Sequence, residues 1–194
     1  MAEKKERLLT PVGSAKWAHL NKPKQFFDDK GKPKGDPKYQ IEIYFDPSDP
    51  EWKALAGGLQ KMINDVPIQL DSEKKPMKKQ ALFKKEMDAN DQHTGRFFIT
   101  FKTSDKFKPG IFDKYGRKMD EATAIGNESK VRINYSPSTY TAFGGGVNLY
   151  LNAVQVLELV EYQAHSAESF GFQAEPLPLE LAKGPAEPED DLPF

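Results

Sequence analysis

The sequence contains no cysteine, which excludes disulfides, thiolate metal sites and cysteine nucleophiles. Such a chain suits a reducing cytoplasm. Histidines are few: His19, His93 and His165 are scattered, and none has a second histidine or a carboxylate at metal-ligand spacing, so no zinc site is expected. No apolar run approaches the ~20 residues that span a bilayer. Lys4, Lys5 and Arg7 lead into Leu8-Leu9-Thr10-Pro11 rather than into the apolar stretch of a secretory signal, so neither export nor a membrane partner is expected. A strand–GxxxxGK[ST]–helix phosphate loop is also missing, because Gly144-Gly145-Gly146 has no lysine and no helix behind it. Carboxylates cluster once, at Asp46, Asp49 and Glu51, and a turn followed by a helix N-cap and a first-turn acid accounts for all three. Nothing nominates a nucleophile–base pair. The expectation is a protein that is not an enzyme and takes no cofactor or metal. The alternatives are a magnesium-dependent nuclease using Asp46/Glu51 or Asp113/Asp120, and a pure protein adaptor.

Apolar residues are sparse as well. They make up 38% of the 194 residues, and the mean hydropathy is −0.69. One domain with an unpacked extension fits that length and composition. The net charge of −1 hides two unlike parts. Residues 1–160 hold 27 Lys and Arg against 21 Asp and Glu, a net +6, whereas residues 161–194 hold one lysine and eight acids, a net −7. A basic body points to a polyanionic partner. Body and tail attract one another, by an amount that salt weakens.

What is present along the chain is mostly strand. Residues 11–20 read as a first strand, followed by a Lys/Pro/Gly-rich loop to Lys38. In YQIEIYF, Tyr39, Ile41, Ile43 and Phe45 alternate with Gln40, Glu42 and Tyr44. Asp49-Pro50 reads as an N-cap and first helical position, and Trp52, Leu55, Ala56, Leu59, Met62, Ile63 and Val66 recur at spacings of three and four up to Pro67. Residues 71–94 are a lysine-rich excursion, partly helical near Gln80 to Met87. Gly95 to Thr103 is a strand with Phe97, Ile99 and Phe101 on its core face. A short hairpin is expected at 111–117, a strand at 131–135, a flexible hairpin loop at 136–146 and a last strand at 147–160. That last strand changes phase near Ala153, which suggests a bulge or burial on both faces. The fold expected is mainly β: a small OB-fold-like antiparallel barrel with one main helix and long basic loops over 1–162, and a disordered acidic tail over 163–194. An immunoglobulin-like sandwich is the rival, but it wants more strands at even spacing.

Aromatics are 11% of the chain, and many stand beside cations. Such mixtures grip single strands, with cations following phosphates and exposed rings stacking on bases. The candidates are Lys16 and Trp17 in the first strand; Lys24, Phe26, Phe27, Lys32 and Lys34 in the first loop; and Tyr44. Further along they are Arg96, Phe98 and Lys102, then Lys106 and Phe107, then Tyr115 and Arg117, Arg132, and finally Tyr140 and Phe143 beside the glycines. In an OB-type barrel the loops after the first and fourth strands flank the binding face, and here they carry the lysines with Phe26 and Phe27, and Tyr140 with Phe143. The bland reading of each is a solvated loop or a core ring. Trp52, Phe97 and Phe101 are assigned to the core.

The chain closes with Glu189-Asp190-Asp191-Leu192-Pro193-Phe194. This resembles the end of bacterial single-stranded-DNA-binding proteins, whose tails finish with acids, then Ile or Leu, then Pro-Phe. The body, with about 160 structured residues, is instead similar to replicative single-stranded-DNA-binding proteins of tailed bacteriophages. The closing strand GVNLYLNAVQVLEL, from Gly146 to Leu159, and the plan of basic body and acidic end carry that likeness. The resemblance implies an OB fold, single-stranded DNA as partner, and work in replication and recombination in the cytoplasm of an infected bacterial cell. It also implies that polymerase, primase-helicase or recombination enzymes meet the tail; self-association is a further candidate contact. Acids of the tail would mimic phosphates at the basic groove when DNA is absent. Once released, Phe194 and its carboxylate would dock on a partner.

Overall fold

The computed structural model describes residues 6–120 and 123–161. The terminal motif Glu189 to Phe194, the acidic tail and the domain boundary at 162 lie outside the described residues. Within them, in chain order, are β1 (Leu8–Leu9), β2 (Gly13–Lys24), β3 (Lys38–Phe45), α1 (Pro50–Asp65), β4 (Lys84–Met87), β5 (His93–Ser104), β6 (Gly110–Phe112), β7 (Lys130–Tyr140) and β8 (Gly146–Glu158), with a single 3₁₀ turn at Ala142–Gly144.

Five of these strands close on one another. β3 pairs antiparallel with β2 on one side and β5 on the other. β8 pairs antiparallel with β7 along almost its whole length and touches β5 in parallel at Lys102↔Tyr150. β7 returns to β2 through Gly13↔Val131 and Ser14↔Lys130. The ring β2-β3-β5-β8-β7 is a mainly β, OB-like barrel, antiparallel except where β5 meets β8. Closure leaves few open edges, and short strands cover parts of its rim: β1 beside β7, β4 beside β5 and β6 beside β8.

Alternation fills the interior. Tyr39, Ile41, Ile43 and Phe45 of β3 face Ile99 and Phe101 of β5, with Val131, Ile133 and Tyr135 of β7 completing the core. On β8, Val147, Leu149 and Leu151 are buried, and so are Val154 and Val156. The register steps from Asn134↔Ala153 to Tyr135↔Leu151, so Asn152 is an extra residue. This bulge returns both apolar sets to the same core. The helix starts as its sequence dictates, with Asp49 Oδ1 accepting from Glu51 N at 2.8 Å and Pro50 at the first position. Trp52, Leu59 and Ile63 are its buried stripe, and Trp52 stacks on Phe45 at 4.7 Å. No basic residue stands in its last turn; Lys79 reaches back instead, donating to the carbonyls of Ile63 (2.7 Å) and Asn64 (2.9 Å).

Several expectations need correction. β2 runs on to Lys24, so the predicted first loop is largely strand and hairpin. The stretch read as partly helical contains β4, held by pairing Lys84↔Phe98 and Lys85↔Phe97. β7 extends to Tyr140 and shortens the flexible loop expected at 136–146 to 141–145, because every residue from Ser136 to Tyr140 finds a partner on β8. That loop packs closely: Gly144 sits at φ +87° with its α-carbon against the Lys78 carbonyl, a place no side chain could enter.

Four hairpin tips share one design. Asp28, Asp71, Asp88 and Asp113 each accept, through Oδ1, backbone N–H bonds from two and four residues on, at 2.8–2.9 Å. The residue three after each, Gly31, Lys74, Asp91 and Gly116, is left-handed. The tips are therefore built structures held by their own hydrogen bonds.

Candidate nucleic-acid interface

Cross-strand register sets out the outer face of β2, β3 and β5 in rows. His19 lies opposite Gln40, Gln40 opposite Lys102, and Lys102 opposite Tyr150. Lys16 lies opposite Glu42, and Glu42 opposite Thr100. Tyr44 lies opposite Phe98, and Phe98 opposite Lys84. Where β5 parts from β8, these rows border a cleft of about 340 Å³ whose lining includes Lys38, Lys84, Thr100, Lys102, Asn148 and Tyr150.

Cations and rings alternate across this face in two runs, which meet where Lys102 and Lys84 line the same cleft. Lys24 and Lys102 place their ammonium groups 5.5 and 5.7 Å from the ring of Phe26. Lys84 stands 5.7 Å over Phe98, and Phe98 stacks on Tyr44 at 4.7 Å. Lys16 and Arg96 then lie 4.8 and 5.5 Å over Tyr44. Seven of the sequence-predicted residues are thus brought together: Lys16, Lys24, Phe26, Tyr44, Arg96, Phe98 and Lys102. Tyr44 takes a different part from the one expected. Its residue is only 6% exposed, so it supports the cations and Phe98 from beneath instead of presenting a free ring. Its hydroxyl donates to Glu42 at 3.0 Å, and burial, then Glu42, pushes its pKa up.

Electrostatics differ along the face. Burial lowers the Lys102 pKa, and so do Lys84 and Lys38 beside it, while Glu42 opposes them. This end holds crowded positive charge. At the other end Lys16 and Arg96 are paired with Glu86 and Glu128. Burial works against Lys16 keeping its proton, but hydrogen bonds to the two carboxylates prevail and raise its pKa. Arg96 first, against burial, and then Lys16 hold Glu128 at about 2. Glu86 is also held at about 2: burial alone would raise it, but Arg96, Lys16 and Thr94 outweigh that.

The other predicted residues are placed separately. Trp17 is 57% exposed on a β2 bulge with left-handed backbone, and Phe143 is 79% exposed and left-handed at the β7–β8 turn. Each ring is thus held outward by a backbone conformation that is costly for a residue other than glycine. Phe27, Lys32 and Lys34 belong to the hairpin beyond β2, where Phe27 bridges Pro33 and Lys34 N donates to the Phe26 carbonyl at 2.8 Å. Tyr140 lies beside Gly146, near the start of β8. Lys106 and Phe107 follow β5 on an exposed turn. Tyr115 projects from the β6 hairpin with Lys114 and Arg117 over its ring, at 5.1 and 5.2 Å. Arg132 lines a hollow of about 220 Å³ with Leu9, Phe112 and Gln155. Arg132 and the Tyr115 group lie outside both runs of cations and rings.

Lys38, Lys84, Glu86, Glu128 and Tyr150 were not found by sequence reasoning. Tyr150 had a signal, since it alternates outward from Leu149 and Leu151. Lys84 stands in the lysine-rich stretch 71–94, and its pairing with Phe98 is what places it on this face. Of the clustered and paired carboxylates, Asp46, Asp49 and Asp113 have structural work. Asp46 accepts from Ser48 N and Oγ, both at 2.7 Å, Asp49 caps α1, and Asp113 orders its hairpin tip. Among the described residues no group of three or more His, Cys, Asp or Glu is placed to hold a metal ion.

No protein-family model matches the sequence. A single-stranded DNA-binding protein of Enterobacteria phage T3 is 24% identical over 200 residues, covering 89% of this chain and 84% of that protein. The crystal structure of gp2.5, a single-stranded DNA-binding protein encoded by bacteriophage T7, superposes with a TM-score of 0.59 at 20% identity, over 88% of this chain and 96% of that one. The single-stranded DNA-binding protein of bacteriophage Enc34, solved in complex with single-stranded DNA, gives 0.58 at 17% identity, over 80% of this chain and 88% of that one. At these identities the likeness to the solved structures is one of fold, and it sets this barrel beside those of phage single-stranded-DNA-binding proteins.

Proposed function

We propose that the chain binds and protects single-stranded DNA along the outer face of β3 and β5. The observation that carries this reading is two runs of cations and rings, Lys24 and Lys102 about Phe26 and then Lys84, Phe98, Tyr44, Lys16 and Arg96, which meet where Lys102 and Lys84 line one cleft. Cations at this spacing follow a phosphate backbone, while Phe26, Trp17, Tyr150 and Phe143 offer rings to bases. The similar single-stranded DNA-binding protein of phage T3, and the single-stranded DNA-binding proteins of like fold from phages T7 and Enc34, support the same reading. The role is that of a coat during phage replication and recombination, inside an infected bacterial cell. Replication enzymes such as polymerase, primase-helicase or recombination proteins are recruited by the acidic end, Glu189 to Phe194.

Tryptophan fluorescence titrated with oligo(dT), beside a duplex of equal length, tests this. Quenching at low salt by the single strand is the expected result, with an affinity that falls by ~0.7 logarithmic units per contacted phosphate for each tenfold rise in salt. No quenching and no gel shift at low salt, for the chain with or without residues 187–194, would reject DNA binding.

A further inference from the structure

Lys16 and Arg96 end the basic face, and two carboxylates hold them unequally. Glu86 Oε1 is 2.6 Å from Lys16 Nζ. The same carboxylate takes two bonds from Arg96, at 2.7 Å from Nε and 2.9 Å from Nη2, and one from Thr94 Oγ1 at 2.7 Å. Glu128 takes the other side of both cations at longer range: 3.1 Å from Lys16 Nζ, and 3.1 and 3.2 Å from Nη1 and Nη2 of Arg96. The side chain of Glu86 is 9% exposed and that of Glu128 is 46% exposed. The short, enclosed pairing fixes the cations in place. The long, open pairing is the one that can exchange. Two cations with Glu86 alone leave one positive charge, which Glu128 cancels.

The backbone around Glu128 is unusual. Glu128 is left-handed at φ +67°, in a link that docks on β2 through Glu128 N to the Ala15 carbonyl and Ala15 N to the Ser129 carbonyl, both 2.8 Å. Asn127, next to it, accepts a bond from Trp17 N at 3.1 Å, and Trp17 is left-handed at φ +51°. Two strained non-glycine residues therefore adjoin Lys16, on neighbouring segments. Strain of this kind gathers at ligand clamps and switches.

We propose that Lys16 and Arg96 form a site for one backbone phosphate of a bound strand, and that Glu128 is an internal stand-in which that phosphate displaces. The planar guanidinium fork takes a carboxylate or a phosphate through the same pair of parallel N–H bonds, so the exchange keeps the geometry while Glu86 keeps the cations in position. Trp17, exposed one residue from Lys16, meets a base beside that phosphate. The inference rests on the single-stranded DNA reading and adds a competitor built into the face, one that sets affinity below what the bare cations would give.

The test measures oligo(dT) affinity at low salt, with urea unfolding alongside, for the full chain and for Glu128→Gln, Glu128→Asp and Glu51→Gln. Glu51 is an exposed acid on α1 and controls for net charge. Glu128→Gln is expected to bind about two- to fivefold tighter, the size of an exposed ion pair, although it unfolds at lower urea. Glu128→Asp keeps the charge but shortens its reach, and is expected to bind tighter too, with Glu51→Gln unchanged. A purely structural Glu128 would lower stability and affinity together. Unchanged or weaker binding by Glu128→Gln overturns the stand-in, as does an equal gain from Glu51→Gln or no gain from Glu128→Asp; each leaves DNA binding intact. Failure of the unaltered chain to bind overturns both.

Discussion

Lys102 and Trp17 show what single residues contribute to this face. Burial and the neighbouring Lys84 and Lys38 hold the Lys102 pKa below its ordinary 10.5. A phosphate relieves that crowding, so bound DNA favours the charged amine, and affinity must fall as pH rises through the lowered pKa, earlier than for an ordinary lysine. Lys102→Met is expected to abolish this alkaline step, to weaken binding at neutral pH, and to reduce the salt slope by ~0.7; titrations across pH and salt read all three. Trp17 separates contact from folding. Trp17→Gly suits the left-handed backbone better and removes a stacking ring worth ~1–3 kcal/mol. Affinity is expected to fall about fivefold or more in filter binding while the urea midpoint does not fall. The outward placement of both was legible, that of Lys102 from strand alternation and that of Trp17 from its neighbouring lysine. Glu86 and Glu128 were not, because a sequence window shows neighbours along the chain, whereas Glu86 meets Lys16 across 70 positions.

Elements depend on such distant pairs, and β4 is the clearest case. Residues 80–87 carry Leu82, Phe83 and Met87 at spacings that suit a helix as well as a strand, and pairing with β5 decides for the strand. Its anchor is Glu86, which ties β4 to Lys16 on β2 and Arg96 on β5. Losing an enclosed carboxylate strands two cations, so Glu86→Ala is expected to cost about 3 kcal/mol in urea unfolding. The acid limb follows from the same pairs. Glu86 and Glu128 have folded pKa values of about 2 against an ordinary 4.5. Their stabilisation is complete above about pH 5 and is lost as pH falls towards 2. Thermal unfolding between those limits is expected to show a steady decline, which Glu86→Gln flattens. β7 was obscured for another reason. Its SPSTY stretch has turn chemistry, yet β8 pairs with all of it. By contrast α1 and the core of β3 and β5 read correctly, since their caps and periodicities are local.

The molecule as a whole was legible where its pattern is coarse: mainly β, one helix, a small barrel class and charge of opposite sign in body and end. The closure itself needed register that no local pattern carries, in particular the parallel meeting of β5 with β8 at a single pair. Deleting residues 187–194 removes Glu187, Glu189, Asp190 and Asp191 and raises the formal net charge from −1 to +3. DNA affinity at low salt is expected to rise, and pull-down of replication enzymes to fail, whereas the unfolding midpoint of the barrel stays. The central claim, that a strand lies on the outer face of β3 and β5, is tested most directly by mapping backbone amide shifts while oligo(dT) is added at low salt. The account predicts the largest changes in β3, β5, residues 16–38 and Tyr150. Changes confined to the hollow of Leu9, Phe112 and Arg132, or no change at all, would contradict it.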